Sequence, residues 1–142
     1  MTFKDSLDVT KWIRFAQNDY DLAMLAKERF RPPIESVCYL CQQSAEKILK
    51  AYNIAKENKL TKTHILGDLL NTCEQYSPDF NILLEPCAKL TPYIALSRYP
   101  SGIDITDYDM KQALNNAGKI LEFTKSKLQE LGFVPEDEPT QN

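Results

Sequence analysis

Glycine is scarce: the 142 residues hold only four, at 67, 102, 118 and 132. Together with long periodic stretches, that scarcity favours helices over a many-stranded sheet, whose turns and bulges draw on glycine. Histidine is scarcer still, with a single residue, His64. One histidine and no acidic cluster at ligand spacing leave no set for a catalytic metal. A basic excess is also missing. Seventeen Lys and Arg against twenty Asp and Glu give a net charge of -3, and the pI is near 5.2. That balance argues against tight non-specific binding of nucleic acid, although a local basic patch is compatible with it. No apolar run approaches the ~20 residues that a membrane span needs. The start, Met1-Thr2-Phe3-Lys4-Asp5, has no apolar stretch behind it of the kind a secretory signal carries, so the expected location is the cytoplasm. There is no P-loop, no G-x-G-x-x-G, no H-E-x-x-H and no G-x-S-x-G. No cofactor and no metal are therefore expected.

What is present fits one compact domain. Hydrophobic residues make up 43% and charged residues 26%, both ordinary for a globular chain. Cys38 and Cys41 form a C-x-x-C, a spacing that zinc and redox sites use. Here it falls inside a helical pattern, both cysteines face the apolar side, and no second pair completes a site. The reading favours reduced core thiols acting as small hydrophobes over redox sensitivity or metal binding.

The periodicity predicts about five helices and no strand. A first helix is expected from about Val9 to Arg29, capped by Asp8 or Thr10. Its apolar residues Trp12, Phe15, Ala16, Leu22, Ala23, Leu25 and Ala26 recur at three- and four-residue steps, and Arg31-Pro32-Pro33 ends it. A second is expected from about Ile34 to Lys56. On a helical wheel Ile34, Val37, Cys38, Cys41, Ala45, Ile48, Leu49 and Tyr52 gather on one side. Gln42, Gln43, Glu46, Lys47 and Lys50 gather opposite, as a solvated face or a contact surface. A polar, basic loop with Lys56, Lys59 and Lys62 nearby follows, and Thr63 reads as the N-cap of a third helix with Ile65, Leu66, Leu69, Leu70 and Cys73 inward. Ser77-Pro78 reads as the next start. Pro86 and Pro92 predict a kink or two short helices in the fourth stretch. Arg98-Tyr99-Pro100-Ser101-Gly102 is turn chemistry. Thr106 and Asp109 resemble a capping box for a last helix with Met110, Ala113, Leu114, Ala117, Ile120, Leu121 and Leu128 inward, stopped at Gly132. Residues 1–134 are thus expected to form one helical domain, an up-and-down antiparallel bundle, with a disordered polar tail over 135–142.

Four segments in order resemble the HEPN family, helical domains often found beside minimal nucleotidyltransferases in prokaryotes. They are Trp12 through Leu25 with the A-x-x-D-Y-D-L-A run from Ala16 to Ala23, then Cys41-Gln42-Gln43-Ser44-Ala45-Glu46-Lys47-Ile48-Leu49-Lys50-Ala51, then Thr63-His64 with Ile65-Leu66 and Leu69-Leu70, and last Ser97-Arg98-Tyr99-Pro100. Together they cover roughly residues 10 to 130. The resemblance implies a helical bundle and commonly a homodimer. It also implies one of two roles: a metal-independent endoribonuclease, often the toxin of a toxin-antitoxin pair, or a module that binds a nucleotide or assists a separate nucleotidyltransferase.

Ribonuclease members carry an arginine followed, after four to six residues, by a histidine. Histidine shuttles protons near neutral pH, and arginine holds the scissile phosphate and its developing charge. Arg98 fits the arginine, but positions 103 to 105 are Ile103, Asp104 and Ile105. The expected proton shuttle is absent, which favours a non-enzymatic interaction module. A ribonuclease would need Arg98 with a substitute such as His64, Asp104 or Tyr99. As a binding module, the candidate ligand contacts are Arg98, Tyr99, Lys47, Lys50 and His64. Each also has a plain structural explanation: Arg98 as a partner of an acid or of helix carbonyls, Tyr99 as an edge of the core, His64 as the start of a helix. A third possibility is a structural protein with no ligand. The expected partners are a second copy of the chain, a minimal nucleotidyltransferase, and a nucleotide or RNA.

Overall fold

The structure is a computed structural model that describes residues 6–134. The polar tail expected over 135–142 lies outside them. All regular structure among the described residues is helical. Helix α1 spans Val9–Lys27, α2 Ile34–Glu57, α3 Leu66–Tyr76, α4 Leu84–Leu90, α5 Tyr93–Leu96 and α6 Asp107–Glu130, with a 3-10 segment at Pro78–Leu83. Among the described residues no helix is long and apolar enough to cross a membrane.

Local sequence sets most of the boundaries. The Asp8 carboxylate accepts from the backbone N–H groups of Thr10 and Lys11 and caps α1. Thr106 and Asp109 form the full capping box of α6: the Thr106 hydroxyl accepts from the Asp109 N–H at 3.1 Å, and the Asp109 carboxylate accepts from the Thr106 N–H at 2.9 Å. At the far end Gly132 has φ +95, a conformation that residues with a Cβ seldom adopt. The Phe133 N–H reaches the Leu128 carbonyl and the Gly132 N–H the Gln129 carbonyl, the hydrogen-bond pattern of a Schellman stop.

Two boundaries differ from the sequence reading. Helix α3 begins at Leu66, and Thr63 sits three residues before it. The Thr63 hydroxyl accepts from the Ile65 N–H and donates to Asp68, so it forms a local turn and does not cap the helix. The proline-interrupted stretch divides into three pieces. Pro86 is tolerated inside α4 because it occupies the first turn, where an N–H has no intrahelical acceptor. Pro92 separates α4 from α5.

Helix α2 is the axis of the bundle. It packs against α1, α3, α4, α5 and α6, and fourteen of its 24 residues are buried. This corrects the helical-wheel picture of a solvated polar side. Gln42, Glu46 and Lys50 are 0%, 4% and 6% exposed, because α1, with Trp12 near Lys50, and the His64 segment before α3 lie over that side. Ala16 and Ala23, both fully buried, let α1 approach closely, and the Ser44 hydroxyl donates to the Ala16 carbonyl at 2.8 Å. Helix α1 has a second apolar stripe that no helix covers: Phe15, Leu22 and Leu25 are 45%, 52% and 71% exposed. The periodicity that placed these three with the core residues is real, but it belongs to an outward face. All four cysteines are buried and unoxidised. Burial raises each thiol, Cys38 and Cys87 to about 12, so they pack as inert hydrophobes.

Candidate functional site

The turn between α5 and α6 frames a cavity of about 370 Å³. Its walls include Glu35 from the first turn of α2, with Ser97, Arg98, Tyr99, Asp104 and Ile105 from the turn. The Arg98 guanidinium is 5.9 Å from the centre of the Tyr39 ring and 6.0 Å from that of Tyr99. Aromatic faces attract a guanidinium and limit its rotation without neutralising it. No carboxylate among the described residues lies within ion-pair distance of Arg98, although Glu35 and Asp104 share the cavity. The Ser97 hydroxyl oxygen is buried with no hydrogen-bond partner among the described residues. The cavity thus combines a held, unneutralised cation, a stacking face in the 67%-exposed Tyr99 and an unsatisfied hydroxyl.

The other candidates lie elsewhere. The His64 Nδ1 sits 3.1 and 3.2 Å from the two oxygens of Glu46. Tyr39, beside Arg98, precedes Glu46 by seven residues of α2, about 10 Å along the axis at 1.5 Å per residue. The same carboxylate accepts from Lys50 at 2.9 Å and from Gln42 at 3.2 Å, and the Lys50 ammonium is 5.9 Å from the Trp12 ring centre. Burial pushes the Glu46 carboxyl up, but hydrogen bonds from Lys50 and Gln42, the Lys50 charge and the His64 ring outweigh it. Glu46 is held below the ordinary glutamate range. Lys47 pairs with Asp19 of α1 at 2.6 Å. Arg98, Tyr99 and Asp104 therefore share one cavity, while His64, Lys47 and Lys50 are engaged on the α1 and α3 side of α2.

Sequence reasoning missed Tyr39, Glu35 and Ser97. Glu35 and Tyr39 are four residues apart and lie on the α2 stripe that continues to Glu46. An aromatic residue on a polar stripe was the available signal. Ser97 stood in the Ser-Arg-Tyr-Pro segment and went unremarked beside its arginine.

The family model of the HEPN domain matches residues 9–128. The chain belongs to the HEPN family. The crystal structure of ST0689, an archaeal HEPN homologue, is 25% identical and superposes with a TM-score of 0.66 over 84% of this chain and 97% of that one. The crystal structure of TT1696 from Thermus thermophilus is 23% identical, with a TM-score of 0.71 over 86% of this chain and 99% of that one. The second likeness concerns the fold alone. No curated protein matches the chain. In this HEPN protein the segment 103–105, where ribonuclease members would carry histidine, lines the Arg98 cavity as Ile103, Asp104 and Ile105. His64 is committed to Glu46.

Proposed function

We propose that this HEPN protein is a nucleotide-binding interaction module that works with a minimal nucleotidyltransferase. The observation that carries this reading is the Arg98 guanidinium, about 6 Å from the ring centres of Tyr39 and Tyr99 at a cavity of about 370 Å³, with no carboxylate among the described residues paired to it. A guanidinium of that kind suits the oxygens of a phosphate, and the Tyr99 ring offers a face to a base. Glu35 and Asp104 in the same walls, with a net charge of -3, disfavour a long polyanion, since repulsion grows with every phosphate beyond the local cation.

The test is calorimetric titration with ATP, GTP and short single-stranded RNA. Mononucleotides are expected to saturate, and Arg98→Ala should cost about 1.5–3 kcal/mol, the worth of a charge-assisted hydrogen bond. The RNA is expected to leave the titration intact without metal, because no histidine stands beside Arg98. Absence of saturation with every ligand would refute the proposal. RNA cleavage that disappears in Arg98→Ala would establish the ribonuclease alternative instead.

A homodimer belongs to the same proposal, supported by the uncovered Phe15, Leu22 and Leu25 stripe on α1. Three large apolar side chains on one face of an amphipathic helix suit a second apolar surface. Light scattering over a dilution series is expected to give twice the chain mass, and Leu22→Glu should shift it to the monomer. Monomer mass at every concentration would exclude the dimer.

A further inference from the structure

The walls of the Arg98 cavity are chemically mixed. They hold one cation, Arg98, and two carboxylates, Glu35 and Asp104. Neither carboxylate is hydrogen-bonded or ion-paired among the described residues, so the three charges share the cavity without cancelling one another. Ser97, the residue before Arg98, lines the same cavity, and its hydroxyl oxygen is buried with no partner among the described residues. A helical serine can satisfy its hydroxyl on the carbonyl one turn back. Here the Tyr93 carbonyl accepts from the Ser97 backbone N–H at 3.4 Å and not from its hydroxyl. Buried hydroxyls without partners are costly and uncommon, so this one points to an acceptor that arrives with a ligand.

We infer that this cavity selects a ribonucleoside monophosphate over the di- and triphosphates, with Arg98 and Ser97 on its one phosphate and Glu35 and Asp104 on its ribose. This rests on the nucleotide-binding role proposed above and narrows it. A phosphate monoester carries about -1.5 to -2 charges at pH 7, and its oxygens accept from a guanidinium and a hydroxyl together. Glu35 and Asp104 are acceptors only. They suit the two ribose hydroxyls, which donate, as acidic residues do in dinucleotide sites. The same two charges repel every phosphate beyond the first. Size agrees: about 370 Å³ stands near the lower end of the roughly 300–1,000 Å³ of small-molecule pockets.

The experiment is calorimetric titration with AMP, ADP, ATP and 2′-deoxy-AMP. At low salt AMP is expected to bind several-fold more tightly than ATP, since exposed charges contribute modestly, and high salt should narrow the gap. 2′-Deoxy-AMP should bind about tenfold more weakly than AMP, the lower end for a lost hydrogen bond to a charged group. Ser97→Ala should weaken AMP several-fold. Glu35→Gln combined with Asp104→Asn should tighten ATP without tightening AMP, so that the preference disappears. Both positions are exposed, circular dichroism checks the fold, and a gain in ATP affinity is not something a damaged fold produces. ATP binding as tightly as AMP to the unsubstituted protein, or a preference that survives the double substitution, would overturn the monophosphate assignment and leave the nucleotide-binding role standing. Equal affinity for AMP and 2′-deoxy-AMP would overturn the ribose contact, and AMP binding indifferent to Ser97→Ala would remove Ser97 from the site. Binding of none of the four would overturn this inference and the role it rests on together.

Discussion

Ala45→Asp is expected to leave the protein mostly unfolded at room temperature. Ala45 lies at the middle of α2 and is 0% exposed, on a helix that five others surround. The aspartate would need space the packed core lacks, and its charge would have no partner there. Leaving one buried charge uncompensated costs about 3–5 kcal/mol, and the forced packing adds roughly 1–3 kcal/mol more. Native domains have only about 5–15 kcal/mol in all. Circular dichroism during thermal denaturation is the check. A midpoint within two or three degrees of the unsubstituted protein would show that residue 45 tolerates a carboxylate and that α2 is packed differently.

Glu46→Gln is expected to produce the second-largest loss. The substitution keeps shape but turns one of the two accepting oxygens into a donor and removes the charge that faces Lys50, whose side chain is 7% exposed. The Lys50 ammonium is then buried beside neutral groups and the Trp12 ring alone, at a cost of about 3 kcal/mol. The pH dependence has a definite sign. The folded-state Glu46 carboxyl titrates below its unfolded counterpart, near 4.5. Its contribution is complete above the unfolded value and is lost as pH falls through the folded one. The unsubstituted protein should therefore lose stability below about pH 4.5, and Glu46→Gln should lack that part of the decline. Urea midpoints measured for both proteins between about pH 3 and 7 (the interval bracketing an ordinary glutamate) test this. Parallel curves would mean that Glu46 holds no charge-dependent share of the stability.

Those two positions also mark how far the sequence could be read. Ala45 was legible as core because the apolar side of α2 has a clear period. Glu46 and Lys50 were legible as a helical pair but not as buried, because a wheel shows which residues share a face and not whether another helix covers it. The cover comes from α1, with Trp12 beside Lys50, and from the His64 segment before α3, and neither is near α2 in the hydrophobic pattern. Caps were readable where the whole device is local: Asp8, the Thr106 and Asp109 box, and Gly132. Thr63 failed as a cap because the same residue type also closes a turn within two residues. In the candidate site, Arg98 and Tyr99 were readable from a family pattern. Tyr39 arrives from 59 positions earlier in the chain, a fact of long-range packing that no local window contains.

The axial position of α2 has a consequence for how the molecule comes apart. Every other α-helix leans on α2, so no one of them shelters a private core that would survive alone. Peeling off a short piece such as α5 exposes little, whereas baring α2 requires several neighbours to leave together. Its backbone amides should therefore exchange with solvent deuterium only at the rate of whole-molecule opening, while those near α5 exchange by local fraying. The protein resembles a scroll wound on a spool: the outer turns loosen singly, and the spool is seen only when all of them are off.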